Sequence, residues 1–161
     1  MPRAADRSSI DSLLESVIRL YAQAADAQLN YSCLLGLWQI AEAIAQPLNQ
    51  SGDTSRIAAR LSTLVRTPEY SGSGWLYTLK HVAEIRNDIV HRGIRDVPER
   101  DVALLKIVVD HAIAWLYNTQ DSLPTRQHLE YYYTNVSLPD TRLTALSDAA
   151  GVIERSRRSI R

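Results

Sequence analysis

Residues 74–93 constrain the fold of this chain most strongly, because they have the periodicity of one long amphipathic helix. At about 100° per residue, its apolar positions share one broad face. These positions are Trp75, Leu79, Val82, Ile85 and Ile89. The opposite side carries Tyr77, Glu84, Asn87, Asp88 and His91. Gly74 precedes the predicted helix, and Gly93 stands where a helix C-terminus often requires a positive φ. The pattern predicts a helix with one face against a core.

Arg86 breaks this pattern, because its angle falls among Val82, Ile89 and Val90 on the apolar side. A guanidinium cannot lose its proton in a protein, so an apolar site must supply an anionic or carbonyl partner. Glu42 is one candidate partner, although a solvated face is the more common place for such a residue. The other explanation is that the apolar face is an interface between two chains.

Helical spacing recurs along the rest of the chain and predicts an all-α bundle of six or seven helices. Ser8 or Ser9 is expected to cap a first helix that ends near Gln28. Further helices are expected at about 31–45, 55–65 and 99–117, and the last of these reads as a central core helix. Pro124 is expected to begin another helix, and a last one covers about 139–158. We interpret residues 1–161 as a single domain with a core at about 31–117 and a C-terminal helical extension at about 124–158.

Composition restricts the function classes. Basic and acidic residues balance at 18 each, so no overall attraction to nucleic acid or to an anionic membrane is expected. The basic residues are 16 arginines and 2 lysines, which favours bidentate contacts with phosphate or carboxylate, although codon bias explains the ratio equally well. The single cysteine, Cys33, excludes a disulfide framework and a cysteine zinc cluster. Lys106, Asp110 and His111 interrupt the longest apolar runs, so no membrane span is expected. Residues 1–7 have no apolar segment behind them, so no signal peptide is expected, and we expect a cytoplasmic protein.

Several catalytic motifs are missing from the sequence. It contains no glycine-rich phosphate loop, no His-Glu-x-x-His and no nucleophile elbow, and its four histidines are scattered. We therefore expect neither a metal nor a cofactor. What remains is Arg86, followed directly by Asn87 and five positions later by His91, at the end of the predicted helix.

The run Arg86-Asn87-Asp88-Ile89-Val90-His91, in an all-helical chain, resembles the signature of the HEPN superfamily: Arg, a polar residue, a few residues and His. Residues 34–44, a loop and then residues 77–93 are similar to the Apea-like branch, and the resemblance covers about 31–117. It implies a HEPN-like helical bundle that is usually a dimer. Many members are metal-independent ribonucleases that act as toxins, CRISPR-associated nucleases or antiviral effectors, and others are interaction modules without known activity.

The resemblance also implies roles for individual residues. Arg86 would bind the scissile phosphate of single-stranded RNA, His91 would act as general acid or base, and Asn87 would position one of them. Arg92 and Tyr77 are weaker candidates for substrate contacts. The expected partners are RNA, a second copy of the chain, and an antitoxin or effector protein.

Helix geometry limits this assignment, because Arg86 and His91 diverge by about 140° on an unbroken helix. Either the last turn loosens before Gly93, or two helices share the site across a two-fold axis. The alternative function is a non-catalytic interaction or RNA-binding module within a larger assembly. In that case Arg86 pairs with a carboxylate of its own chain, such as Glu42, and His91 merely caps a helix.

Overall fold

The computed structural model describes residues 9–48, 53–65, 72–136, 141, 142 and 144, with only the backbone described at 72 and 73. Six helices lie in these ranges: α1 (Ile10–Ala25), α2 (Asn30–Ala45), α3 (Thr54–Leu64), α4 (Gly72–Arg92), α5 (Glu99–Thr119) and α6 (Arg126–Asn135). The described residues form no strand, which confirms the all-α prediction. The helix predicted at 139–158 lies mostly outside them.

The chain divides into two compact units, Met1–Glu130 and Tyr131–Arg161, and the boundary falls within α6. The interpretation of residues 1–161 as one domain stays a prediction. None of the described helices has both the length and the apolar composition needed to cross a bilayer.

Local chemistry explains several helix ends. The Ser9 hydroxyl accepts a hydrogen bond from the Ser12 amide at 3.1 Å, so Ser9 is the N-cap of α1. Gly93 has φ of 68°, as predicted for the end of α4. The Gly93 amide donates to the Ile89 carbonyl, and the Ile94 amide donates to the Asp88 carbonyl. These bonds satisfy carbonyls that the end of the helix would otherwise leave unpaired.

Three predicted boundaries were wrong. Gly74 does not precede the motif helix but lies inside it, because α4 already begins at Gly72. α1 ends at Ala25 rather than Gln28, because the Ala27 amide donates to the carbonyl of Ala24, only three residues back, and so leaves the helical pattern. Pro124 is not the first residue of α6, because its carbonyl accepts a hydrogen bond from the Ile10 amide at 3.0 Å. That contact belongs to an isolated bridge between the two chain segments, and α6 starts afterwards at Arg126.

In unit Met1–Glu130, α2 and α5 are both central, since they pack against each other and each also packs against α1, α3 and α4. The buried residues of α2 are Leu34, Leu37, Trp38, Ile40, Ala41, Ile44 and Ala45. The expectation that α5 is a central core helix agrees with these contacts, although the helix is not buried on all sides. Leu105, Val108 and Leu116 are buried, but Ile107 and Tyr117 on the same helix are exposed.

A buried arginine on α3 ties three elements together. Arg60 is 9% exposed and donates to the carbonyl of Ala45, at the end of α2, at 2.7 Å. It also pairs with the carboxylate of Glu130 on α6, where Nη1 to Oε2 is 2.8 Å. The carbonyl and the carboxylate supply the partners that a buried guanidinium requires.

Candidate functional site

The site is built around Arg86, on the side of α4 that faces the core. Its side chain is 25% exposed, so it is half-buried rather than dry. Nη2 lies 3.3 Å from Oε1 of Glu42, and Nη1 donates to Oδ1 of Asn87 at 3.2 Å. The structure thus brings Arg86 and Asn87 together, and the Arg86 guanidinium also pairs with a carboxylate from α2.

Glu42 connects the site to the core of the bundle. Its Oε1 accepts a hydrogen bond from Nε1 of Trp38, one turn earlier on α2, at 2.7 Å. Trp38 is 1% exposed, whereas the Glu42 side chain is 34% exposed. Glu42 is therefore the partner of Arg86 that the sequence offered as a candidate. Its carboxylate is only partly solvated, because the buried indole and the Arg86 guanidinium both bind the same carboxylate oxygen.

The Arg86 guanidinium has more N–H donors than its contacts with Glu42 and Asn87 use. Arginine carries five N–H donors, and Arg86 uses two of them toward described residues. The remaining three, together with the exposed quarter of the side chain, allow it to bind an anion beside Glu42. Planar guanidinium donors suit phosphate in particular.

His91 lies on another side of α4. The helix continues unbroken to Arg92, and the Gly93 amide still bonds to Ile89 in helical register. The loosened last turn, one of the two explanations offered by the sequence, is therefore wrong. Five helical residues separate Arg86 from His91 by about 140° and 7.5 Å along the axis. His91 is exposed and has no hydrogen-bond or ion-pair partner among the described residues.

The two weaker candidates do not join Arg86. Arg92 is 72% exposed and forms an ion pair with Asp88, one turn earlier, at 3.2 Å. Tyr77 is 75% exposed and lies nine residues before Arg86, which is about 13.5 Å along the helix axis. A single chain therefore assembles Arg86, Asn87 and Glu42, but not His91 or Tyr77.

Sequence analysis did not find a polar contact between α4 and α5. Nε2 of His81 lies 3.4 Å from Oδ1 of Asp101, in the first turn of α5. The Asp101 side chain is 2% exposed, and Oδ1 accepts no hydrogen bond from any described residue. In the sequence, Asp101 looks like an ordinary acidic residue in the first turn of a helix, where the helix dipole favours negative charge. Its contact with His81 becomes visible only when α4 packs on α5.

Two open cavities lie elsewhere in unit Met1–Glu130. One is an apolar groove of about 470 Å³ between α1 and α5, lined by Leu14, Ile18, Tyr21, Asp110, Ile113, Ala114 and Tyr117. The second, here called the Tyr31 pocket, has about 500 Å³ and is lined by Gln28, Leu29, Asn30, Tyr31, Arg95, Asp96 and Val97. The ranges covered by the structure contain no group of three His, Cys, Asp or Glu side chains placed to hold a metal ion.

A polar network borders the apolar groove. The Tyr21 hydroxyl donates to Oδ1 of Asp110 at 2.6 Å, and Nζ of Lys106 donates to Oδ2 at 2.8 Å. Burial, together with the Asp110 hydrogen bond, raises the pKa of Tyr21. The hydrogen bond to Asp110 also raises the pKa of Lys106, so both groups keep their protons at neutral pH.

Comparison with known proteins does not assign the chain to a family. No family model matches the chain, and no curated protein or solved structure matches it. The HEPN resemblance therefore stays a prediction that rests on the residues of the motif.

Proposed function

We propose that this protein is a HEPN-type, metal-independent endoribonuclease that cleaves single-stranded RNA as a homodimer. In this proposal each site combines Arg86 and Asn87 of one chain with His91 of the other. The proposal rests on the contacts and the exposure of the Arg86 side chain. Glu42 and Asn87 hold the guanidinium in place, yet a quarter of the side chain stays exposed and three donors remain for a phosphate.

The chemistry needs only these groups and the RNA itself. His91 accepts the proton of the 2′-hydroxyl, the 2′-oxygen attacks phosphorus, and the bond to the 5′-oxygen breaks. The departing oxygen takes a proton from water, and the other product ends in a 2′,3′-cyclic phosphate. Arg86 stabilises the charge that builds up on the phosphate oxygens. Histidine suits the proton transfer because imidazole as a class exchanges protons near neutral pH.

The surface beside His91 supports pairing of two chains. Val90 and Ile94 flank the histidine and are 51% and 41% exposed. Burying these aliphatic side chains against a second copy would remove apolar surface from water. Such pairing is the remaining way to bring Arg86 and His91 together on helices that stay unbroken.

The direct test is cleavage of single-stranded RNA by the full chain in excess chelator. We expect products with a 2′,3′-cyclic phosphate or its hydrolysed form, and no cleavage of DNA, which lacks the 2′-hydroxyl. His91→Ala should lower the rate by about 10²–10⁴, and Asn87→Ala should fall between that variant and the wild type. His111→Ala is the matched control, because His111 is an exposed histidine on α5, outside the motif. Cleavage that survives both Arg86→Ala and His91→Ala would refute the proposal.

A second function, a non-catalytic interaction or RNA-binding module, is favoured by the ion pair between Arg86 and Glu42 within one chain. That contact accounts for a charged residue on the apolar face of α4 without any substrate. The module predicts no His91-dependent cleavage of any RNA tested, including RNA presented with a partner protein. The same assay therefore separates the two functions.

A further inference from the structure

The Tyr31 pocket has the size and chemistry of a small-ligand site. Its volume of about 500 Å³ lies within the range of about 300–1,000 Å³ that is typical of such sites. Its lining offers an aromatic ring from Tyr31, a cation from Arg95, a carboxylate from Asp96 and an amide from Gln28. This mixture suits a ligand with a flat ring and several hydrogen-bonding groups.

Arg95 is already placed for stacking. The centre of its guanidinium lies 5.5 Å from the centroid of the Tyr31 ring. A guanidinium held against an aromatic ring presents its other side to solvent, and bases of single-stranded RNA stack on aromatic rings and on Arg planes. Its N–H edges keep their donors for phosphate oxygens.

The pocket is held close to the proposed catalytic histidine. The loop that lines it follows directly after α4, and Asn30 fastens the loop to α2 by donating to the Val97 carbonyl at 3.0 Å. Arg95 lies four positions after His91, so their Cα atoms are at most about 14 Å apart. A nucleotide next to the cleaved bond is therefore within reach of the pocket.

We propose that the Tyr31 pocket binds one nucleotide of single-stranded RNA that flanks the cleaved bond. The base stacks on the Arg95 guanidinium, which lies over the Tyr31 ring, and Asp96 and Gln28 accept or donate hydrogen bonds at the edge of the base. The location next to the cleaved bond rests on the proposed ribonuclease function. The binding of RNA by the pocket is tested separately from cleavage.

The experiment measures binding without cleavage. The full chain carrying His91→Ala is titrated against a short, fluorescein-labelled single-stranded oligoadenylate at fixed salt, and fluorescence anisotropy gives Kd. Arg95→Ala and Tyr31→Leu should each raise Kd about tenfold or more, the usual effect of losing one stacked base. Arg95→Lys should weaken binding almost as much, because lysine keeps the charge but has no plane. Tyr31→Phe should bind like the parent protein.

The matched control is Arg19→Ala, which removes an exposed arginine on α1, outside the pocket lining. If Arg95→Ala changes Kd no more than Arg19→Ala, if Arg95→Lys binds normally, or if the chain binds no RNA, the inference is wrong. Stacking-dependent binding without His91-dependent cleavage would uphold the pocket and refute the ribonuclease. His91-dependent cleavage together with an unchanged Kd in the Arg95 and Tyr31 variants would uphold the ribonuclease and refute the pocket.

Discussion

At the scale of single residues, the ion pair between Arg86 and Glu42 has a testable energy. The side chains are 25% and 34% exposed, which places the pair between a surface salt bridge and a buried one. Surface pairs contribute about 0.2–1 kcal/mol, and breaking a fully buried pair costs about 3–5 kcal/mol. We expect Arg86→Ala to lower the free energy of unfolding by about 1–2 kcal/mol, measured by urea denaturation.

Glu42→Gln is the control for that measurement, because the amide keeps an acceptor for the Trp38 indole but removes the charge. It should cost less than Arg86→Ala if part of the loss comes from a stranded carboxylate. A loss above about 3 kcal/mol for Arg86→Ala would mean that the pair behaves as buried, and Arg86 would then serve the fold rather than a substrate.

The Tyr21 network makes stability depend on pH at the alkaline end. The native pKa of Tyr21 lies above its ordinary value of 10.0, and that of Lys106 is raised as well. Groups with a raised native pKa contribute stability that is present below the unfolded pKa and is lost as the pH rises through the native pKa. The wild type should therefore lose stability above about pH 10.

Tyr21→Phe isolates the hydroxyl in this network. The variant should be less stable at neutral pH by about 1–2 kcal/mol, because it loses a hydrogen bond to a carboxylate. Its urea midpoint should fall less steeply above about pH 10 than that of the wild type. Parallel pH profiles would show that Tyr21 does not contribute to the alkaline loss.

At the scale of helices, α1 and α2 approach each other closely at Gly36. A Cβ atom added there would lie 2.8 Å from Cβ and 3.2 Å from Cα of Ala24, so the helices would have to move apart. We expect Gly36→Ala to destabilise the protein by about 1–3 kcal/mol in thermal unfolding, although alanine favours helices. Gly74→Ala is the matched control, because a Cβ at Gly74 meets no described atom within 4 Å. It should stabilise the protein by about 0.5–1 kcal/mol. Equal effects of the two substitutions would contradict the close approach.

At the scale of the whole molecule, the proposed site requires two chains. Sedimentation at micromolar concentration should give a mass near twice 18.1 kDa. Val90→Asp should reduce both the dimer fraction and RNA cleavage, because it places a charge on the proposed contact surface. A monomer at high concentration would refute the shared site but would leave the helical fold untouched.

Mixing two inactive variants tests the sharing of the site directly. Arg86→Ala and His91→Ala chains, combined in equal amounts, should recover roughly a quarter of wild-type cleavage, because half of the dimers are mixed and each of these holds one intact site. Each variant by itself is the control. No recovery in a mixture that forms dimers would show that Arg86 and His91 do not act across the interface.

Features that depend on neighbours within one helical turn were predictable. The apolar periodicity predicted the helices, Ser9 caps the N-terminus of α1, and Gly93 adopts the positive φ that the end of α4 requires. Each of these follows from bonds and contacts between residues at most about four positions apart. Pro124 shows the limit of such rules. Its carbonyl accepts a hydrogen bond from the amide of Ile10, far away along the chain, and α6 begins only at Arg126.

The sequence by itself determined the helical fold class and placed Arg86 on an apolar face that required a partner. Only the tertiary structure decided that the partner is Glu42, 44 positions away, and that Trp38 anchors the same carboxylate. It also decided that Asp101 meets His81 and that the Arg95 guanidinium lies over the Tyr31 ring. The physical reason is that a helix repeats every 3.6 residues whatever surrounds it, whereas contacts between helices depend on how their side chains pack together.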